Sequence, residues 1–220
     1  MLKPEANWIK EVILKIDPKD VNPLLNVGSS SLYFRQTIQP WIEEEIFLPL
    51  QKTGYEIFHA DIKKEEGVDI VGDFIDSKFV SKLKEHNFRS ILCSNFLEHV
   101  EENNRNIVCT NLLSVIQSGG YIIVTVPYKY LWHPDPIDTM FRPNIDELAI
   151  LFPKTSIIIS KILKCEYYYS RFFKKPHKLI RLIFRLLLPF INPKGWIQQF
   201  KALKYFFTRF EVTCILLQKQ

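Results

Sequence analysis

Two carboxylates and a glycine turn carry the first chemical signal in the chain. Asn26-Val27-Gly28-Ser29-Ser30-Ser31 closes an apolar run; Gly28 lets the backbone approach a ligand closely, and the three serines offer hydroxyl and amide donors. Asp61 ends the next apolar run about thirty residues later, where a carboxylate can accept hydrogen bonds from both ribose hydroxyls of a nucleotide-like ligand. Asp73, between Gly72 and Phe74, adds an acceptor for an adenine amino group beside an apolar ring face, or else caps a helix. Further on, residues 130–143 gather His133, Asp135, Asp138 and Arg142 among aromatics and prolines. A loop of this kind reaches a substrate, and His133, with Asp135 second, is a candidate base for a hydroxyl proton. The prolines equally suit a rigid structural connection.

These residues need strands that end together. Between residues 22 and 130, apolar runs alternate with helix-length amphipathic stretches, the pattern of parallel strands joined by crossover helices. Strands are predicted at 23–28, 55–62, 68–74, 88–95 and 120–128, and helices at 34–52, 77–86 and 101–117. LLNV, SILC and YIIVTV are apolar without alternation, which implies burial on both faces. A short helix at 8–16 is expected to cap the sheet edge, a helix follows at 146–151, and strands at 156–162 and 210–217 complete seven. The expected architecture is a Rossmann-like, doubly wound α/β fold: one domain spanning residues 1–220, its mostly parallel sheet covered by helices on both faces. Ligands of such sheets bind beyond the carboxyl ends of the strands, where the singled-out residues fall.

At 220 residues, with 47% hydrophobic and 24% charged residues, the chain can bury one core, and disorder is not expected to dominate. Cys93, Cys109, Cys165 and Cys214 form no CxxC pair, so neither a metal site nor a disulfide framework is expected. The opening MLKPEANWIK lacks the continuous apolar stretch of a secretory signal, and a cytoplasmic location is expected.

The string CSNFLEHV at 93–100 resembles the fourth-strand motif of the class I S-adenosylmethionine-dependent methyltransferases, within them the group called methyltransferase type 11. GGYIIVTVPY resembles the fifth strand of that family, and the resemblance covers about residues 20–150. It implies S-adenosylmethionine as cofactor, with Asn26, Gly28 and Ser29 by its methionine part, Asp61 by the ribose, Asp73 and Phe74 by the adenine, Asn95 beneath the sulfonium, and Ile62 and Phe96 as further cofactor-binding candidates. His99 and, from the later loop, Asp138 and Arg142 are candidates for holding the acceptor; His99 equally suits packing on the following helix, with Glu98 beside it. The family usually has an acid where Asn26 stands and glycines in place of Ser29–Ser31. A dinucleotide-dependent oxidoreductase needs those glycines against a pyrophosphate, whereas this cofactor has no phosphate. The expected reaction is O-methylation of a sugar, glycan or lipid-linked acceptor; an oxidoreductase and a catalytically silent binding module are the alternatives.

The net charge of +5 conceals an asymmetry. Ten of the 29 Lys and Arg lie in residues 167–210, which contain no acid, leaving 19 against 24 acids elsewhere. Within this segment, 171–208 is expected to form a basic amphipathic helical insertion. Its aliphatic and aromatic residues suit a peripheral membrane contact or a lid, or else a helix packed on the sheet. Nucleic acid is not favoured, because the bases are interleaved with large aliphatics rather than with stacking aromatics.

Overall fold

The computed structural model describes residues 1–132, 137–170, 176–188, 190–203 and 206–220. Seven strands form one sheet: β1 (Leu24–Val27), β2 (Ile57–Asp61), β3 (Ile70–Val71), β4 (Ser90–Ser94), β5 (Tyr121–Lys129), β6 (Thr155–Tyr167) and β7 (Arg209–Lys219). Their spatial order is β3-β2-β1-β4-β5-β7-β6. The first five run parallel, and β7 inserts antiparallel between β5 and β6.

The unbroken apolar character of the central strands has the expected cause. Leu25, Ile91, Ile122 and Val124 face one core with α4 (Ser77–Lys84), α5 (Glu102–Val115) and α6 (Ile145–Ala149). Leu24, Leu92, Ile123 and Cys214 face the other, beneath α1 (Lys3–Ile13) and α3 (Leu48–Lys52). Adjacent residues of a strand point to opposite faces, so a sheet covered on both sides has little use for polar positions. A short helix, α2 (Pro18–Val21), leads into β1.

Four expectations need correction. The N-terminal helix starts earlier than predicted and covers a face of the central strands rather than the sheet edge, because Ala6, Ile9 and Ile13 are wholly buried in the second core. The predicted helix 34–52 is two π-helical turns, Phe34–Ile38 and Glu43–Phe47, before α3. Pro40 lies between the turns, and a proline can neither donate to a helical ladder nor avoid the preceding carbonyl. β3 keeps only two residues of its predicted seven. β6 is almost twice its predicted length, because its antiparallel ladder with β7 runs on to the Tyr167–Arg209 pair.

That ladder carries the basic insertion. Beyond Tyr167, Tyr168 N donates to the Thr208 carbonyl and Tyr169 N to that of Phe206, so β6 and β7 stay paired until the chain leaves for α7 (Pro176–Leu187) and α8 (Pro193–Leu203). No described residue of these two helices belongs to either core. No helix among the described residues is long and apolar enough to cross a membrane.

Candidate functional site

The strand order reverses direction around β1 and β4, and the residues singled out for chemistry lie at the carboxyl ends of these strands and their neighbours, where open α/β sheets bind ligands. After β1 the chain turns sharply. Gly28 has φ +65°, and Ser30 holds φ +56° without being glycine, a conformation that costs an L-residue roughly 1 kcal/mol. A Cβ on Gly28 would lie 2.6 Å from Cδ2 of Phe96, so the ring after β4 packs directly on the turn.

Two groups hold the strained turn. Asp61 Oδ2 accepts from Ser30 N at 2.9 Å, while its Oδ1 accepts from Lys63 N at 3.0 Å. Arg35, almost completely buried, donates Nη1 to the carbonyls of Ser29 (3.1 Å) and Ser30 (2.8 Å) and Nη2 to that of Gly67 (2.9 Å). Its Nε lies 3.6 Å from the Glu43 carboxylate, and burial lowers its pKa. Serine thus takes the positive dihedral usually left to glycine while a guanidinium satisfies the carbonyls that the turn exposes.

Asn26, expected near a ligand's amino-acid portion, bonds His59 Nδ1 at 3.0 Å in the interior. Burial and the positive Arg35 push the pKa of His59 down to about 4, so the imidazole is neutral at pH 7. Asp73 Oδ1 accepts from Ile75 N as a turn, and Asp76 caps α4. Phe74 is buried, edge-on to Phe79 and Phe96. Ile62, in contrast, is exposed at the end of β2. A cleft of about 500 Å³ beside α4 includes Gly72 and Asp73 but neither Asp61 nor Asn95.

At the end of β4, Asn95 adopts φ +49° and donates Nδ2 to Glu5 Oε1 at 2.6 Å. The same oxygen accepts from Thr125 Oγ1 (2.6 Å) and Ser94 Oγ (3.2 Å), and Glu5 Oε2 accepts from Leu2 N (3.0 Å). A fully buried carboxylate from α1 thereby ties β4 to β5. Sequence reasoning missed Glu5; its one signal was an acid at capping-box spacing in an otherwise apolar helix. Glu98 was noticed only as a neighbour of His99. It is fully buried with neither oxygen hydrogen-bonded, and burial, reinforced by Glu5, raises its pKa to about 8.

The loop after β5 folds onto this segment. Thr139 donates N and Oγ1 to the Glu98 carbonyl, both at 2.9 Å, and the Ile137 carbonyl meets His99 Nδ1 at 2.5 Å. Arg105 stacks 3.8 Å above the Phe141 ring. Asp138 and Arg142 form a two-pronged ion pair at 2.6 and 3.1 Å, so these two candidates meet each other as well as the loop. The structure sets His99 against the loop in which Asp138 and Arg142 pair. His133 and Asp135, the catalytic candidates, lie outside the described residues. Among the described residues no three His, Cys, Asp or Glu are grouped to hold a metal ion, and all four cysteines are buried and unpaired.

No family model matches the chain, and no curated protein matches it in sequence. Solved structures do match it. A protein from Galdieria sulphuraria assigned as a sarcosine dimethylglycine methyltransferase superposes with a TM-score of 0.58 at 11% identity, over 98% of this chain and 85% of its own. The [4+2]-cyclase SpnF gives 0.55 at 14% identity over 97% and 80%, and a SAM-dependent methyltransferase from Methanosarcina mazei 0.53 at 12% over 95% and 96%. The chain has the fold of the class I S-adenosylmethionine-dependent methyltransferases.

Proposed function

We propose that the chain binds S-adenosylmethionine at the crest of β1, β2 and β4 and transfers its methyl group to a hydroxyl of a sugar, glycan or lipid-linked acceptor. The observation that carries this reading is the Asp61 carboxylate at the end of β2, held against the strained turn after β1 at the point where the strand order reverses. A carboxylate has about four acceptor sites, and each Asp61 oxygen accepts one backbone bond, which leaves capacity for a ribose diol. Exposed Ile62 covers the base, with Asp73 for its amino group and the Phe74 edge behind. Gly28, Ser29 and Asn26 border the amino-acid portion; Asn95 and Phe96 lie beneath the sulfonium.

When bound, the cofactor supplies an electrophilic methyl group on a sulfonium. The chain's own part is to align the acceptor and remove a proton. In this reading His99, Asp138 and Arg142 form the acceptor wall, and His133, with Asp135, takes the hydroxyl proton. The choice of a sugar or glycan acceptor rests on the CSNFLEHV resemblance and the basic C-terminal region.

The strand order argues against a dinucleotide oxidoreductase, since the usual sheet of that class places a sixth parallel strand where β7 runs antiparallel. One observation favours a second reading, a cofactor-binding module without transfer: serines stand at 29–31 where the family usually has glycines, and Ser30 takes the positive φ of that turn. Calorimetry with S-adenosylhomocysteine and with NAD tests the proposal. Binding of the former alone, weakened at least about tenfold by Asp61→Ala, is the expected result. Binding without turnover on any hydroxyl acceptor selects the silent module, and no binding of S-adenosylhomocysteine overturns both.

A further inference from the structure

Residues 180, 183, 184 and 187 recur at the spacing that places side chains on one side of a helix. In α7 these are Ile180, Ile183, Phe184 and Leu187, and this apolar stripe faces solvent instead of the sheet. Exposure runs from 49% for Ile183 to 69% for Leu187, and Phe190 and Ile191 beyond the helix reach 75% and 71%. Ile197 and Phe200 of α8 and Phe207 after it are exposed as well. The two helices nevertheless hold each other. Trp196 Nε1 donates to the Leu186 carbonyl at 3.0 Å, and Trp196 closes a groove with Arg181, Phe184, Leu188 and Ile191.

A monomer in water seldom leaves so many large apolar side chains outward on one element. Charge decides what covers them. The segment 167–210 carries ten Lys and Arg and no acid, and Arg181, Lys194 and Lys201 are exposed among the apolar residues. A second copy would bring the same positive charge against itself. Nucleic acid would use the cations but leave the isoleucines and leucines in water. An anionic bilayer surface satisfies both features, since headgroups attract the cations while the acyl boundary takes the apolar stripe. α7 has twelve residues, roughly 18 Å of helix, which suits lying in the interface and not crossing it.

We infer that the α7–α8 hairpin docks the protein on an anionic membrane surface. β6 runs parallel to the first five strands and β7 antiparallel to β5, so the hairpin leaves the sheet at the end where those strands terminate. Docking therefore brings the crest that carries Asp61 and Asn95 close to the bilayer, within reach of a lipid-linked acceptor; this extension alone rests on the proposed methyl transfer.

Co-sedimentation of the full chain with sucrose-loaded vesicles tests the docking. The chain is expected to pellet with vesicles of equal parts phosphatidylcholine and phosphatidylglycerol, to stay largely in solution with phosphatidylcholine alone, and to be released as salt rises. Ile183→Ser with Leu187→Ser, both on the exposed stripe, is expected to lower vesicle affinity at least about tenfold while leaving the melting curve and S-adenosylhomocysteine binding unchanged. Failure of the unaltered chain to bind anionic vesicles overturns the inference. So does binding indifferent to the paired substitution, or sedimentation of the free protein as a dimer that the substitutions dissolve. Because S-adenosylhomocysteine is titrated on the same preparations, loss of docking and loss of the cofactor reading are separate results.

Discussion

Replacing Glu5 by alanine tests whether a carboxylate from the N-terminal helix holds the crest together. Glu5 Oε1 accepts from Asn95 Nδ2, Thr125 Oγ1 and Ser94 Oγ, and its Oε2 accepts from Leu2 N, with no exposure to solvent. A hydrogen bond to a charged group contributes about 1.5–3 kcal/mol, and an orphaned buried donor costs about 1–3 kcal/mol. The four bonds do not simply add. Thr125 Oγ1 and Asn95 Nδ2 keep contacts to Ser94 Oγ at 2.8 and 3.1 Å, and removal of the carboxylate also removes its desolvation cost. The expected loss is therefore about 2–4 kcal/mol, read as a lower midpoint in urea with an unchanged slope. Glu5→Gln keeps the acceptor for Asn95 and Thr125 but turns an amide donor toward Leu2 N, so it should lose about 1–2 kcal/mol. In a double-mutant cycle with Asn95→Ala, the two losses should be less than additive. A loss below about 0.5 kcal/mol for Glu5→Ala, or strict additivity with Asn95→Ala, refutes the pin.

Two further outcomes follow from the same region. Gly28→Ala combines a left-handed backbone with a Cβ driven into Phe96, an expected loss of about 2–4 kcal/mol by urea unfolding, and Phe96→Leu should recover part of it. Glu98 keeps its proton in the folded chain up to about pH 8, whereas an unfolded glutamate has lost it well below neutrality, so the folded state binds the extra proton and stability falls as pH rises toward 8. The neutral His59 acts in the opposite sense, from its folded pKa of about 4 to its unfolded value near 6.5. The clean window is thus about pH 6.5–8, where stability should decline by at most about 1.4 kcal/mol per pH unit and Glu98→Gln should flatten the slope; an unchanged slope in that variant counts against the buried acid.

What was legible in the sequence is what local pattern dictates. Leu24–Val27, Ser90–Ser94 and Tyr121–Lys129 read as buried strands because a sheet covered on both faces admits apolar residues at every position. Asp61 could be assigned to a strand end because a crossover unit sets its distance from Gly28 within narrow limits. The amphipathic insertion was equally plain as a period. Its direction was not, since an apolar stripe shows a helix has a greasy side and says nothing of what meets it; only the tertiary structure turned Ile183 and Leu187 away from the sheet. Glu5 and Arg35 escaped for a related reason. Glu5 reaches Asn95 and Thr125 across 90 and 120 residues, and Arg35 reaches Gly67 across 32, contacts that exist only after the sheet has formed. Propensity and periodicity act over a few neighbouring residues, while the burial of a charge is decided by what the rest of the chain brings to it.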